Sequence, residues 1–403
     1  MNIKLYRLYE YFLYIIVFLN LEFLNIFNNL NSAVANVTVI LSVVLFIIYI
    51  FNFKEGNVKL VYGFIFCGLL LLFLIFQLFR HTNASFFLDY NIKNRVGLIK
   101  YYSYILLMFP IYETLNKRGN IFIRNIYILG MIALVLRIFV WTLYNKTGID
   151  IMPGLFSMMG YSWSHGSDVR LPGTFLDGFL LTYSLSKIHE KLAKKESKIY
   201  PYIIGLIISL FYIYYVFNSR SQILCCLLVI VLSLVFVNNK ILSTLAKILL
   251  VILCCFLIIK ISSHTDLFKW GLNYYDPGTQ VRITGFDFYH DNWINYKFLG
   301  FGIAPDGNMF HTWYNSWIYY LSDLGIVNIL FQFGYIGLLL LFLPVVFAFF
   351  VGYKNVKYSN GYLLMLLSFY TIVLSILFQS VYDSSRILIV PFILAMMMIV
   401  NKE

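Results

Sequence analysis

Apolar runs of about 17–25 residues, the length that spans hydrocarbon as a helix, recur along the whole chain between short polar turns. Hydrocarbon offers a backbone no hydrogen bonds, so a spanning segment is either a helix or part of a closed barrel. A barrel strand reads as about ten residues of alternating polarity. No such alternation is visible here. The expected fold is therefore all-α: a polytopic transmembrane helical protein, with residues 1–403 forming a single integral membrane domain. Composition agrees, since 61% of the 403 residues are hydrophobic and only 12% are charged. Soluble domains average about a quarter charged residues. Cys67, Cys225, Cys226, Cys254 and Cys255 all lie in apolar runs. They read as small core residues, neither a disulfide framework nor a zinc site. Met1 to Glu10 is a short polar start, and the first apolar run continues into a span without a cleavage signal.

Hydropathy divides the chain into about twelve candidate spans. Their approximate limits are 11–28, 33–53, 59–79, 98–115, 121–143, 173–189, 199–217, 222–237, 241–261, 324–350, 361–380 and 386–401. Lysine and arginine set the orientation, because cytoplasmic loops carry the excess of positive charge. With the N-terminus inside, the inner loops hold Lys54 and Lys59, Lys117 and Arg118, the run from Lys187 to Lys198, Lys240, Lys354 and Lys357, and finally Lys402. Both termini are then cytoplasmic. One large extracytoplasmic loop, about 262–323, precedes the tenth span. The formal charge of +12 is accounted for by this topology, so no nucleic-acid partner is expected.

The same orientation puts Arg80, Arg95, Arg170, Arg220, Arg282 and Arg386 outside, against the charge bias. A guanidinium can grip a phosphate or carboxylate with two hydrogen bonds. It can equally pair with Asp89, Asp168 or Asp383 and merely tie loops together. Arg220 sits in Phe217-Asn-Ser-Arg-Ser221, a tight outer hairpin, and is either a snorkelling cation or part of a polar pocket. Arg170 precedes Pro172 and Gly173 at the start of the sixth span, with Asp177 one to two turns in. That pair is either a structural clamp or a functional site. Arg282 is followed by the aromatic stretch Phe286-Asp-Phe-Tyr-His290, which suits an amphipathic helix on the membrane. His311, Asn315 and Asp323 close the loop. If 311–323 is helical, His311 and Asn315 share a face at four-residue spacing. A histidine there either takes a proton from a sugar hydroxyl or is a hydrogen-bonded interface residue.

The chain has no phosphate loop, dinucleotide fingerprint or metal-ligand spacing, so no cofactor is expected. It has no soluble domain to hold a nucleotide sugar, so an enzyme built this way would draw its donor from the bilayer. Arginines alone can stabilise a diphosphate leaving group by meeting the charge that develops as the bond breaks.

With these features the chain resembles the Wzy and O-antigen ligase group of polysaccharide enzymes. Arg170-x-x-Gly173-x-Phe175 is similar to that group's arginine–glycine motif, and Asn218-Ser-Arg-Ser221 to its Ser-Arg hairpin. Arg282, Gly300-Phe-Gly302, His311, Asn315, Asp323-x-Gly325 and Gly334-x-x-Gly337 resemble its C-terminal signature. The resemblance implies a metal-independent glycosyl transfer at the extracytoplasmic face of the bacterial inner membrane. The donor would be an oligosaccharide on undecaprenyl diphosphate. Flippase and chain-length regulator proteins are the further partners it suggests. Arg220 and Arg282 would bind the donor phosphates with help from Arg170. His311 or Asp323 would activate or position the acceptor. In ligases His and Asn are often adjacent, whereas three residues separate His311 from Asn315. Ser322-Asp-Leu-Gly325 stands where a ligase more often has glutamate before the glycine. Both departures favour a repeat-unit polymerase over an O-antigen ligase or a protein O-oligosaccharyltransferase. A flippase, the reading from a different class, would show two related halves. Here the large loop occurs once, and the mid-membrane ionisable residues Glu22, Glu113 and Arg137 are scattered.

Overall fold

The computed structural model describes residues 5–21, 31–52, 58–84, 92–152, 164–165, 168–237, 240–262, 277–304, 308–311, 316–319, 321–376, 379–383 and 385–400. The chain folds as an all-α membrane protein. Six of its described helical segments are long and apolar enough to cross a bilayer. In chain order the helices are α1 (Leu5–Asn20), α2 (Asn31–Phe51), α3 (Val58–Phe79), α4 (Ile92–Ile99) and α5 (Met108–Thr147), with a tighter 3₁₀ stretch at Lys100–Leu107 joining the last two. They continue with α6 (Asp177–Ala193), α7 (Tyr200–Phe211), α8 (Arg220–Val235), α9 (Lys240–Ser262) and α10 (Pro277–Trp293). The last four are α11 (Ile326–Leu341), α12 (Leu343–Lys354), α13 (Ser359–Ile376) and α14 (Ile389–Val400). Two antiparallel hairpins interrupt the series. β1 (Ser164–His165) pairs with β2 (Asp168–Val169), and β3 (Asn308–His311) with β4 (Ser316–Tyr319).

The periodicity of α3 explains its place at the rim. Leu60, Cys67, Leu70, Leu74 and Gln77 recur every three or four residues and are buried. Tyr62, Ile65, Leu69, Leu72, Phe76 and Phe79 form the opposite stripe and are exposed. On a soluble protein such a stripe would be an aggregation surface; here it faces lipid. By contrast α6 over Asp177–Ser186, α13 and α14 are buried nearly all round and form the centre of the bundle. α5 is not one straight rod. Arg118 leaves helical geometry (φ −141°), and its guanidinium pairs with Glu10 at 2.8 Å. The kink falls where a cytoplasmic turn is expected.

α11 is broken at Gly334, which takes φ +66°. The break frees backbone groups, and Lys297–Ala304 fills them. Phe301 and Gly302 donate their N–H groups to the carbonyls of Phe331 and Gln332, both at 2.9 Å. In return Tyr335 and Ile336 donate to the carbonyls of Lys297 and Phe298, at 3.0 and 3.1 Å. Irregular backbone is tolerated at membrane depth when protein satisfies it in this way. Gly300 (φ +70°) lies against the break so closely that a Cβ there would stand 2.2 Å from the Gln332 carbonyl oxygen. α10 packs on the same place, with Tyr289 and Trp293 buried against Phe301 and Phe331. The aromatic stretch is helical as expected, and its apolar face is covered by protein.

Gly300→Ala and Gly334→Ala each add backbone strain to a clash with main-chain atoms, and each is expected to cost more than about 3 kcal/mol. Gly68→Ala, where an added Cβ meets nothing within 4 Å, is expected to be neutral or slightly stabilising. Thermal unfolding of the three variants in detergent measures the difference.

Candidate functional site

The six arginines expected on the outer face separate into two groups. Arg80 donates to the carbonyls of Leu299 and Gly300, both at 2.8 Å, and Arg95 to the carbonyl of Arg80 at 2.7 Å. These two hold backbone in place. Arg386 pairs with Asp383 at 3.1 Å, which is the loop-tying role considered for it from sequence. Arg220 and Arg282, far apart in sequence, both lie close enough for their charges to act on Arg170. Burial, then the charges of Arg282 and Arg220, push the Arg170 guanidinium below its ordinary pKa.

Each arginine is positioned by a separate local device. Arg170 follows β2 and donates to the Asn218 carbonyl at 3.2 Å. The next residue, Leu171, donates its N–H to the Val216 carbonyl at 3.1 Å, so the 170–171 strand runs beside the hairpin that carries Arg220. The Pro172 carbonyl accepts from both Arg137 (2.8 Å) and the Tyr212 hydroxyl (2.6 Å). Asp177 then closes the turn into α6. Its carboxylate accepts from the Thr174 N–H at 2.9 Å and from the Thr174 hydroxyl at 2.7 Å. A Cβ on Gly173 would meet that carboxylate at 2.6 Å, so the arginine–glycine motif packs as one unit. Asp177 is fully buried, within electrostatic reach of Arg137 and Arg386.

Arg220 is the first residue of α8 and is exposed. The flanking Ser219 and Ser221 hydroxyls lie 3.0 Å apart, and both accept from the Gln379 side-chain amide, at 2.5 and 2.7 Å. The hairpin is thereby fastened to the loop between α13 and α14. Arg282 lies in the first half of α10. Its Nε stands 3.8 Å from Asp323, which is too long for a hydrogen bond. That Nε is buried and has no hydrogen-bond partner among the described residues. Asp323 is half exposed and precedes Gly325, whose φ of +58° starts α11.

The expected helical face joining His311 to Asn315 does not form. His311 ends β3 opposite Ser316, while Asn315 lies outside the described residues. Phe310, Trp317, Ile318 and Tyr319 are strand-favouring residues, and a four-residue spacing suits a hairpin as well as a helical turn. Among the described residues no three His, Cys, Asp or Glu side chains gather as a metal site would need. Sequence reasoning missed Gln379, Tyr212 and the structural use of Arg137. Arg137 carried a usable signal, as an ionisable residue inside a span. Comparisons with family models, curated proteins and solved structures find no match to this chain.

The Asp177 carboxylate closes the turn onto Thr174 within reach of the Arg137 and Arg386 charges, and the clamp onto Arg170 considered from sequence does not form. Asp177→Ala leaves the Thr174 N–H and the nearby guanidiniums without their carboxylate and is expected to cost about 3–5 kcal/mol. Asp150→Asn, on an exposed turn, is expected to stay within about 0.5 kcal/mol of the parent. Thermal unfolding of both variants checks the contrast.

Proposed function

We propose that this protein polymerises a bacterial surface polysaccharide from repeat units carried on undecaprenyl diphosphate, at the extracytoplasmic face of the inner membrane. The observation that carries the reading is that Arg220 and Arg282 both lie within electrostatic reach of Arg170. Like charges repel, and an anion bound among guanidiniums at the edge of a low-dielectric bundle relieves that repulsion. A diphosphate supplies that anion, and arginine forks match its oxygens. The resemblance to the Wzy and O-antigen ligase group points to the same chemistry through the same residues.

In this reading the chain has about twelve spans with both termini cytoplasmic, and the segment 262–323 faces outward. The two ends of α6 support that arrangement. The arginine-bearing turn lies before Asp177. At the far end Glu190 gathers Lys187, Lys194 and Ser359, each at 2.7 Å, within the lysine-rich segment assigned to the cytoplasm. In the reaction an acceptor sugar hydroxyl attacks the anomeric carbon of the donor. The bond from that carbon to the diphosphate oxygen breaks, and the arginines take up the charge that develops on the leaving group. Asp323, beside Arg282 and half exposed, is the carboxylate we assign to the acceptor's proton. His311 remains a second candidate for that role. Asn315 and Asp177 are assigned to substrate binding.

A gel of surface glycan tests this. Cells lacking the protein are expected to keep single repeat units on their normal acceptor and to lose the ladder of long chains. Long chains that persist on undecaprenyl diphosphate would show a ligase instead. Lipid-linked single units facing the cytoplasm would show a flippase. Arg220→Lys keeps the charge and loses the fork, and at normal protein level it is expected to slow polymerisation by about 10²–10³. Full-length polymer from that variant would contradict the bidentate role.

A further inference from the structure

A cleft of about 370 Å³ opens beside Arg170, on the side that the diphosphate reading leaves unused. One wall is Trp141, Asp168 and Val169, and the other is Tyr214, Tyr215 and Asn218. Both walls are built rather than incidental. Trp141 Nε1 donates to the Val169 carbonyl at 2.8 Å. Asn145 accepts from the Val169 N–H at 2.8 Å and donates back to its carbonyl at 3.1 Å. With its backbone satisfied by α5, Val169 holds Asp168 and Arg170 on either side of itself at the cleft.

The tyrosine wall depends on a widened turn. α7 ends in π-helical geometry over Tyr212–Phe217, where the Asn218 N–H reaches back to the Ile213 carbonyl. Such turns recur at functional sites because they re-aim side chains. Here Tyr212, Ile213, Val216 and Phe217 are buried, while the consecutive Tyr214 and Tyr215 are more than half exposed. Their rings meet edge to face at 4.8 Å. Asn218 closes the turn in a left-handed conformation (φ 46°), which asparagine tolerates.

Two exposed tyrosines, a carboxylate, a guanidinium and an amide lining one cleft match the chemistry of a sugar ring. Such a ring has an apolar face of C–H bonds and a rim of hydroxyls. A volume near 370 Å³ falls in the range of small-ligand pockets, about 300–1,000 Å³. It suits about one or two sugar rings. Arg170 lines this cleft and also belongs to the arginine cluster, so the two sites adjoin. We propose that the cleft is the subsite for the donor saccharide nearest the diphosphate. Tyr214 and Tyr215 pack on the sugar's C–H face, and Asp168 and Asn218 meet its hydroxyls. This rests on the diphosphate reading of the arginines, because a sugar joined to a diphosphate must lie next to it. The competing role for two tyrosines at a helix end is anchorage in the bilayer interface.

Two probes separate these outcomes on the full-length protein in nanodiscs. One is undecaprenyl diphosphate without sugar. The other is the undecaprenyl-diphosphate-linked oligosaccharide extracted from cells lacking the protein. The double variant Tyr214→Ala, Tyr215→Ala is expected to bind the glycosylated lipid about tenfold more weakly and the sugarless lipid unchanged. Tyr214→Phe with Tyr215→Phe keeps the rings and is expected to retain most of the affinity. Equal weakening toward both probes would assign the tyrosines to bilayer anchorage and overturn the proposal. No weakening toward either would put the sugar elsewhere, with the diphosphate reading intact. Failure of the unsubstituted protein to bind either probe would overturn the diphosphate reading and this inference together.

Discussion

Arg170 stands within electrostatic reach of both Arg220 and Arg282, and the rest of the fold has to hold these like charges there. Arg170 is held by a backbone segment tied to Val216 and Asn218, with Arg137 and Tyr212 gripping the Pro172 carbonyl behind it. Arg220 is held by a serine-flanked hairpin that Gln379 fastens to the distant α13–α14 loop. Arg282 rides on α10, whose aromatic face packs against the broken helix α11. Different parts of the chain thus contribute one cation each. Under the proposed function that arrangement would receive an anion.

The break in α11 ties these parts into one body. Gly334 gives up helical hydrogen bonds, and Lys297–Ala304 replaces them from a neighbouring segment. Arg80, Gln77 and Thr82 then satisfy the carbonyls of Leu299, Gly300 and Phe301 on that segment's other side. The apolar helix α3 is thereby connected to the segment Lys297–Ala304. The outcome is a rigid rim in a region where water and lipid could both compete for backbone groups.

Much of the helical layout was legible in the amino-acid sequence, because hydrocarbon permits so few backbone solutions. The choice of arginines followed from sidedness. The partners of Arg80 and Arg95 did not, since an acidic partner was sought and backbone carbonyls serve instead. Periodicity also could not separate a helix from a hairpin around His311, where aromatic and β-branched residues carry a four-residue spacing that fits both. Gln379 left no trace in hydropathy or charge, and its role depends on a contact with Ser219 and Ser221 across about 160 residues of sequence. The wide turn at the end of α7, which leaves Tyr214 and Tyr215 exposed, has no signature in hydropathy or charge.

The most direct test of a shared anion site is the affinity of the solubilised protein for inorganic pyrophosphate, taken through a double-mutant cycle. Arg170→Gln and Arg282→Gln are each expected to weaken binding, and the double variant is expected to lose less than the sum. A coupling of about 0.5–3 kcal/mol between them would mark two residues acting on one ligand. Strict additivity, or a loss from only one of the two substitutions, would contradict the convergence on which the account rests.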